Sequence, residues 1–456
     1  MSSAERTDVV ILAAGQGTRM RSRLPKVLHP LAGKAMVRHV ADTAAGLDGA
    51  HLNVVIGHGG ERVQQQLADT GASFAVQAEQ KGTGHAVVQS LDAIGDGKVL
   101  ILYGDVPLIR RETLEALLAE VSEQTLGLLT VILEDPTGYG RIVRDAEGRV
   151  SAIVEHKDAT PEQLAIQEGN TGILATTGAQ LKRWLPALSA DNAQGEYYLT
   201  DIIAMAASEG VNIATAQPAA VEEVQGVNNR LQLADLERAF QRREANRLMT
   251  EGASLADPSR IDVRGNLTIG TDISIDVGCI FEGDVTLADD VVIGAHCVIR
   301  NATIGAGANI APHSVIDGAV LEGDNNVGPF ARLRPGTELA RGARIGNFVE
   351  TKNAQVGVDA KINHLSYVGD ATLGEAVNVG AGTITCNYDG ANKFRTEIGA
   401  NAFIGSNSAL VAPLKIGAGA TVGAGSTLSR DVAEGALSVA RGKRIDKPEW
   451  PRPTKK

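Results

Sequence analysis

The sequence predicts two architectures in one chain: a Rossmann-like α/β domain on a mainly parallel sheet, then a long helix, then a triangular parallel β-helix of hexapeptide repeats. Three observations point there. Short apolar runs alternate with amphipathic stretches up to about Asn229, a charge-dense segment follows, and after Gly252 apolar residues return at steps of five or six. A chain of 456 residues is about three times the usual domain length, so more than one domain is expected.

In the first half, residues 8–14 (DVVILAA), 51–57 (HLNVVIG), 98–105 (KVLILYGD) and 126–133 (LGLLTVIL) are predicted strands. Their apolar character suits a sheet covered on both faces. Residues 110–121 (RRETLEALLAEV) carry a helical period, and strands alternating with helices mark a parallel sheet. Next, Leu231, Leu236, Phe240 and Leu248 form a narrow stripe amid dense charge. They predict one helix ended at Gly252, either packed on the first domain or serving as an exposed arm. The expected domains are 1–229, a helical linker 230–251, and 252–456.

The later apolar track runs through Ile293, Ile299, Ile304, Ile310, Ile316, Leu321, Val327, Leu333, Leu339 and Ile345. It continues through Thr351, Val356, Ile362, Val368, Leu373 and Val379. Three steps make one coil, each coil lying about 4.8 Å above the last. A lumen of Ile, Val and Leu explains an aromatic content of only 3%. The track breaks between Val379 and Ile398, so residues 381–397 (AGTITCNYDGANKFRTE) are expected to loop out, a natural place for ligand contacts. It resumes through Ile404, Leu410, Ile416, Val422 and Leu428.

Composition narrows the function. With 43 basic against 54 acidic residues the net charge is −11, which disfavours a nucleic-acid binder. Three scattered cysteines, Cys279, Cys297 and Cys386, argue against a disulfide framework or a four-cysteine zinc site. The opening MSSAERTDVVILAAG is broken too soon for a signal peptide or membrane span. A soluble, cytoplasmic protein is expected.

The sharpest local motif is LAAGQGTRM (12–20), followed by Pro25-Lys26. A strand ending in small residues lets backbone N–H groups approach a phosphate, with Arg19 and Lys26 adding charge. It lacks the third glycine of a dinucleotide fold and the Gly-Lys-Ser/Thr of a Walker loop. A generic glycine turn stays open on these residues alone. Tyr103-Gly104-Asp105 ends an apolar strand, where parallel sheets bind ligands. Asp105 either caps a turn or, beside phosphates, ligates Mg²⁺. His364 stands alone in a repeat turn, one coil after Asn347 and near Glu350 and Lys352; on the sequence alone a structural role is the more ordinary one.

Taken together, LAAGQGTRM with Pro25-Lys26, GTGHA (82–86), LYGDVPL (102–108), GYGR (138–141), VEHKD (154–158), NTGI (170–173) and GVNNR (226–230) resemble the sugar-1-phosphate nucleotidylyltransferases. With the repeats attached, the chain is similar to bifunctional members that also carry an N-acetyltransferase. The resemblance implies a left-handed β-helix, a homotrimer, and synthesis of UDP-N-acetylglucosamine. Acetyl-CoA would acetylate glucosamine-1-phosphate, and UTP with Mg²⁺ would then uridylylate the product. The alternative is a single nucleotidylyltransferase whose β-helix only regulates or assembles.

Site residues follow from the same resemblance. Leu12, Ala13, Ala14 and Gly15 would hold nucleotide, Arg19 and Lys26 the phosphates, and Gln77 uracil. Gly82 and Thr83 would line the base pocket, with Tyr103 and Gly104 nearby. Gly140, Glu155 and Asn170 would surround the sugar, and Asp105 with Asn228 would hold Mg²⁺. In the second half His364 would be the base, with Glu350 a candidate orienting partner. Arg334 and Lys352 would take the sugar phosphate, and Tyr367 and Asn378 the sugar. Ala381, Asn387, Tyr388, Lys393, Ser406, Ala424 and Arg441 would meet acetyl-CoA or the acceptor.

Overall fold

A computed structural model describes residues 6–442 and 444–450; the first five residues and the basic tail PRPTKK lie outside the described residues. The chain divides into two compact units, Met1–Phe240 and Gln241–Lys456.

The first unit is built on a mixed sheet. Its strands run in the order Asn212–Ala216, Thr125–Ile132, Glu168–Thr177, Lys98–Tyr103, Thr7–Ala13, Ala50–Ile56, Ser73–Val76. The four predicted strands are there, within two residues of their expected ends. Glu168–Thr177 is antiparallel to both neighbours, and the pair Arg141–Arg144 and Val150–Val154 hangs from it. Successive side chains point to opposite faces. Val9, Ile11, Leu100 and Leu102 bury into one layer, and Val10, Leu12, Val99 and Ile101 into the other. That two-sided burial is why these strands are apolar throughout. The predicted helix appears as Arg111–Ala119, with Leu114, Leu117 and Leu118 inward.

The second unit is a left-handed parallel β-helix. Every residue of the predicted track from Ile293 to Leu428 is buried, none more than 5% exposed. The register stacks Ile299 on Ile316, Leu333, Thr351 and Val368 in turn. Each buried aliphatic side chain contributes about 1.5–3 kcal/mol, so the coils are held chiefly by this column. Coiling begins before Ile293, in the nine-residue strands Ile261–Ile269 and Cys279–Leu287. These pair along their whole length, bending at Gly265, where a Cβ would lie 2.2 Å from Gly283 O.

The excursion is shorter than expected. Ile384–Cys386 remains in the sheet, with Thr385 2% exposed in the lumen. A polar lumen residue hid this coil from the apolar track. Its hydroxyl is satisfied by donating to Gly369 O at 3.0 Å and accepting from Gly369 N at 2.8 Å. The departure from the coil is confined to 387–395.

The long helix spans Arg230–Thr250. Leu236 packs with Met20, Leu31 and Leu108 of the first unit's own cluster. Ala245 and Leu248 belong to the second unit's core. Leu231, expected in the stripe, is 77% exposed in the first turn. Among the described residues no helix is long and apolar enough to cross a membrane.

Candidate active sites

In the first unit a cavity of about 290 Å³ opens where strands Thr7–Ala13 and Lys98–Tyr103 end. Leu12, Ala14, Gly15, Lys26, Gln77, Gly82, Thr83, Tyr103 and Asp105 line it, as expected; Val27, Gln80, Ala86 and Glu196 line it without having been foreseen. Gly17, at φ 62°, turns the chain back so tightly that a Cβ there would lie 2.5 Å from Lys26 Cβ. That turn brings Pro25-Lys26 to the cavity. The Gln77 amide nitrogen donates to Gly82 O at 3.1 Å, so its Oε1 is the atom it can offer a ligand. Gln80 donates to Ala14 O and ties the glycine turn to the opposite wall.

Charge gathers at one side. The Lys26 ammonium pairs with Asp105 Oδ2 and lies 3.4 Å from Asn228 Oδ1. Arg19 Nη2 donates to the same Asn228 oxygen at 3.0 Å. Val227 N donates to Asp105 O at 2.9 Å and tethers the two loops. Two oxygen donors converging on one cationic nitrogen suit a divalent cation that keeps water and phosphate as its other ligands. Among the described residues no three His, Cys, Asp or Glu side chains cluster as a self-sufficient metal cage.

The expected sugar residues also come together. Asn170 N donates to Gly140 O at 2.8 Å, and a Cβ on Gly140 would sit 3.5 Å from both Glu155 oxygens. Burial lifts the Glu155 carboxyl above its usual range, against the hydrogen bond it accepts from Thr200 at 3.1 Å. Burial, then the Glu155 and Asp105 charges, keep the Tyr103 hydroxyl protonated far above neutrality.

In the second unit strands Arg344–Asn347 and Lys361–His364 pair so that His364 stacks on Asn347. His364 Nδ1 is 2.9 Å from Asn347 Oδ1. An amide oxygen only accepts, so in this contact Nδ1 is the donor and Nε2 takes no part. Glu350, the candidate orienting partner, is engaged elsewhere: Arg334 donates to its Oε1 at 2.8 Å. Asn347, one coil before His364 as the repeat spacing predicts, is the side chain that reaches the ring.

Three cationic side chains, Lys352, Lys393 and Arg334, gather near one another. Lys393, and behind it Arg334, pulls Lys352 below the usual lysine range. Asp370 lies opposite; burial would raise its carboxyl, but bonds from Asn353 and Asn387 hold it low. The Tyr367 ring lies over Gly369, where no side chain intervenes. Asn378 is in register with Lys361 on the strand that carries His364. Tyr388 pairs with Lys393 across the excursion and is 60% exposed.

The remaining expected residues form a ladder along one corner. Gly382 N donates to His364 O, Asn407 N to Ala381 O, and Gly425 N to Ser406 O. Arg441 Nε then donates to Ala424 O at 2.7 Å.

Comparison with known proteins agrees with both halves. Residues 9–175 match the MobA-like NTP transferase domain, 263–354 the GMPPB C-terminal domain, and 395–430 the bacterial transferase hexapeptide repeats. The bifunctional protein GlmU of Chromohalobacter salexigens is 67% identical over 98% of this chain and 99% of its own. That of Marinobacter nauticus is 62% identical over the same shares. The chain belongs to the GlmU family. As a member of that family it is a bifunctional transferase of UDP-N-acetylglucosamine synthesis, joining N-acetyltransferase and uridylyltransferase activities. The GlmU relative from Stutzerimonas stutzeri, 59% identical, also spans 98% of the chain.

Proposed function

We propose that residues 1–229 carry uridylyl transfer and residues 252–456 acetyl transfer, with 230–251 joining them. The observation that carries the first assignment is the Lys26 ammonium set between Asp105 and Asn228 beside the cavity. N-acetylglucosamine-1-phosphate is already an anion, so no base is needed to make the nucleophile. Its phosphate oxygen attacks the α-phosphorus of UTP, forming one P–O bond as the α–β bond breaks and pyrophosphate leaves. Repulsion between the two anions is the barrier, and Lys26 and Arg19 lower it by neutralising charge in place. Mg²⁺, held by Asp105 and Asn228, would add further positive charge there. Leu12 to Gly15 offer backbone to the nucleotide, Gln77 reads uracil, and Gly140, Glu155 and Asn170 hold the sugar.

In acetyl transfer His364 Nε2 takes a proton from the glucosamine amine as its nitrogen attacks the thioester carbonyl. The C–N bond forms, the C–S bond breaks, and the proton returns to the leaving thiolate. Arg334, Lys352 and Lys393 gather the sugar phosphate, Tyr367 and Asn378 the sugar, and the corner ladder from Ala381 to Arg441 the acetyl-CoA, with Asn387 and Tyr388 from the excursion. His364 is exposed in a single chain, beside exposed Phe330, Phe348 and Leu365. That supports a homotrimer in which a neighbouring β-helix closes the site. A cytoplasmic location fits these soluble substrates.

The test is mass spectrometry of products from glucosamine-1-phosphate, acetyl-CoA, UTP and Mg²⁺. Lys26→Ala and Asp105→Ala should each stop at N-acetylglucosamine-1-phosphate, with uridylyl transfer down at least about a thousandfold. Retained uridylyl transfer in either variant overturns the assignment.

A further inference from the structure

Glu223 lies outside every role assigned so far, yet it is only 2% exposed. Its Oε2 accepts from Thr113 Oγ1 at 2.7 Å, and its Oε1 is 3.4 Å from Arg110 Nε. Arg110 and Thr113 stand at the start of helix Arg111–Ala119, five and eight residues after Asp105. Glu223 sits in the short turn Val221–Val224, five residues before Asn228. The next residue, Val224, packs in the same apolar cluster as Val106 and Ile109. The buried carboxylate therefore clips together the two loops that carry Asp105 and Asn228. Closer to the site those loops share the bond from Val227 N to Asp105 O.

We infer that Glu223 is a positioning residue for uridylyl transfer, setting the separation of the Asp105 and Asn228 oxygens through its buried contacts with Arg110 and Thr113. This rests on the reading that Asp105 and Asn228 hold Mg²⁺. Neither Arg110 nor Thr113 lines the cavity, so the clip acts through the loops and not on substrate. A buried carboxylate stays in such a place because removing one partner strands the other's charge.

The experiment uses the full chain and titrates Mg²⁺ in the uridylyl reaction of the parent, Glu223→Ala and Glu223→Gln. Glu223→Ala should raise the half-saturating Mg²⁺ concentration about tenfold, with kcat recovering at saturation, as expected for a residue that supports metal ligands. Glu223→Gln, which can still accept from Thr113, should show a smaller rise. Acetyl transfer should be unchanged. Without metal or nucleotide, amide hydrogen exchange at Val227 should quicken in Glu223→Ala. Half-saturation within twofold of the parent overturns the inference, whatever happens to the melting temperature. Should Glu223→Ala fail to fold, Thr113→Val removes one contact alone, and an unchanged Mg²⁺ dependence there also overturns it. Asp105→Asn separates the two readings. If its Mg²⁺ dependence matches the parent's, the metal assignment falls and takes the inference with it, even where Val227 exchange has quickened.

Discussion

An imidazole serves as a base only when the correct nitrogen is free, and the Asn347 contact on Nδ1 decides which one. Asn347→Ala should release both tautomers and ring orientations, lowering acetyl transfer on the order of tenfold. Asn347→Asp places a carboxylate on Nδ1–H and favours the imidazolium. The acid limb of the kcat/KM profile for acetyl transfer should therefore move to higher pH, while uridylyl transfer is unaffected. A profile that superimposes on the parent's would show that orientation does not run through this contact. At this scale the sequence was informative where chemistry sits inside a motif. Lys26, Asp105 and Asn228 were singled out from their motifs, and the structure puts their side chains side by side. Gln80 and Glu223 were not singled out. Their partners lie 66 and 110 positions away in the chain, and no local pattern encodes such pairings. The coil period placed Asn347 one coil from His364, but not its contact with the ring.

At the scale of elements, the β-helix was legible because each coil repeats one constraint: an apolar residue must fill the lumen at every step. The reading weakened wherever that constraint was met differently, by a hydroxyl at Thr385 or by long bent strands at Gly265 and Gly283. In the first unit the antiparallel strand Glu168–Thr177 was missed, because its polar first half, EGNTG, interrupts any apolar run. The lumen column carries a quantitative expectation. Ile345 is 1% exposed, stacked between Val327 and Ile362, and two residues from Asn347. Ile345→Ala should cost about 2–5 kcal/mol of stability in the second unit, measured by urea unfolding. It should also lower acetyl transfer, by loosening the coil that orients His364, and spare uridylyl transfer. A cost below about 1 kcal/mol would mean that the coil closes over the gap.

At the scale of the whole molecule there are two compact units, and the two sites we propose have no residue in common. The intermediate is a small soluble anion, so neither site needs the other's chemistry in the same chain. Lys26→Ala and His364→Ala, each unable to complete the sequence, should together restore UDP-N-acetylglucosamine synthesis from glucosamine-1-phosphate when mixed. Mass spectrometry of the mixture decides it. Absence of product, with each variant retaining its other activity, would require obligatory hand-over within one molecule.

The corner ladder has a metric consequence. From His364 through Ala381 and Ser406 to Ala424 the backbone climbs three rungs, roughly 14 Å at the ordinary strand spacing, and the Arg441 guanidinium bonds back to the Ala424 carbonyl. A long carrier with a reactive thioester at one end and phosphates at the other, bound there as we propose, would be measured against a ruler graduated in coils. On the proposed roles the rise from His364 to Ala424 is set by whole coils, so this corner would select its donor by length before any atom of it is recognised.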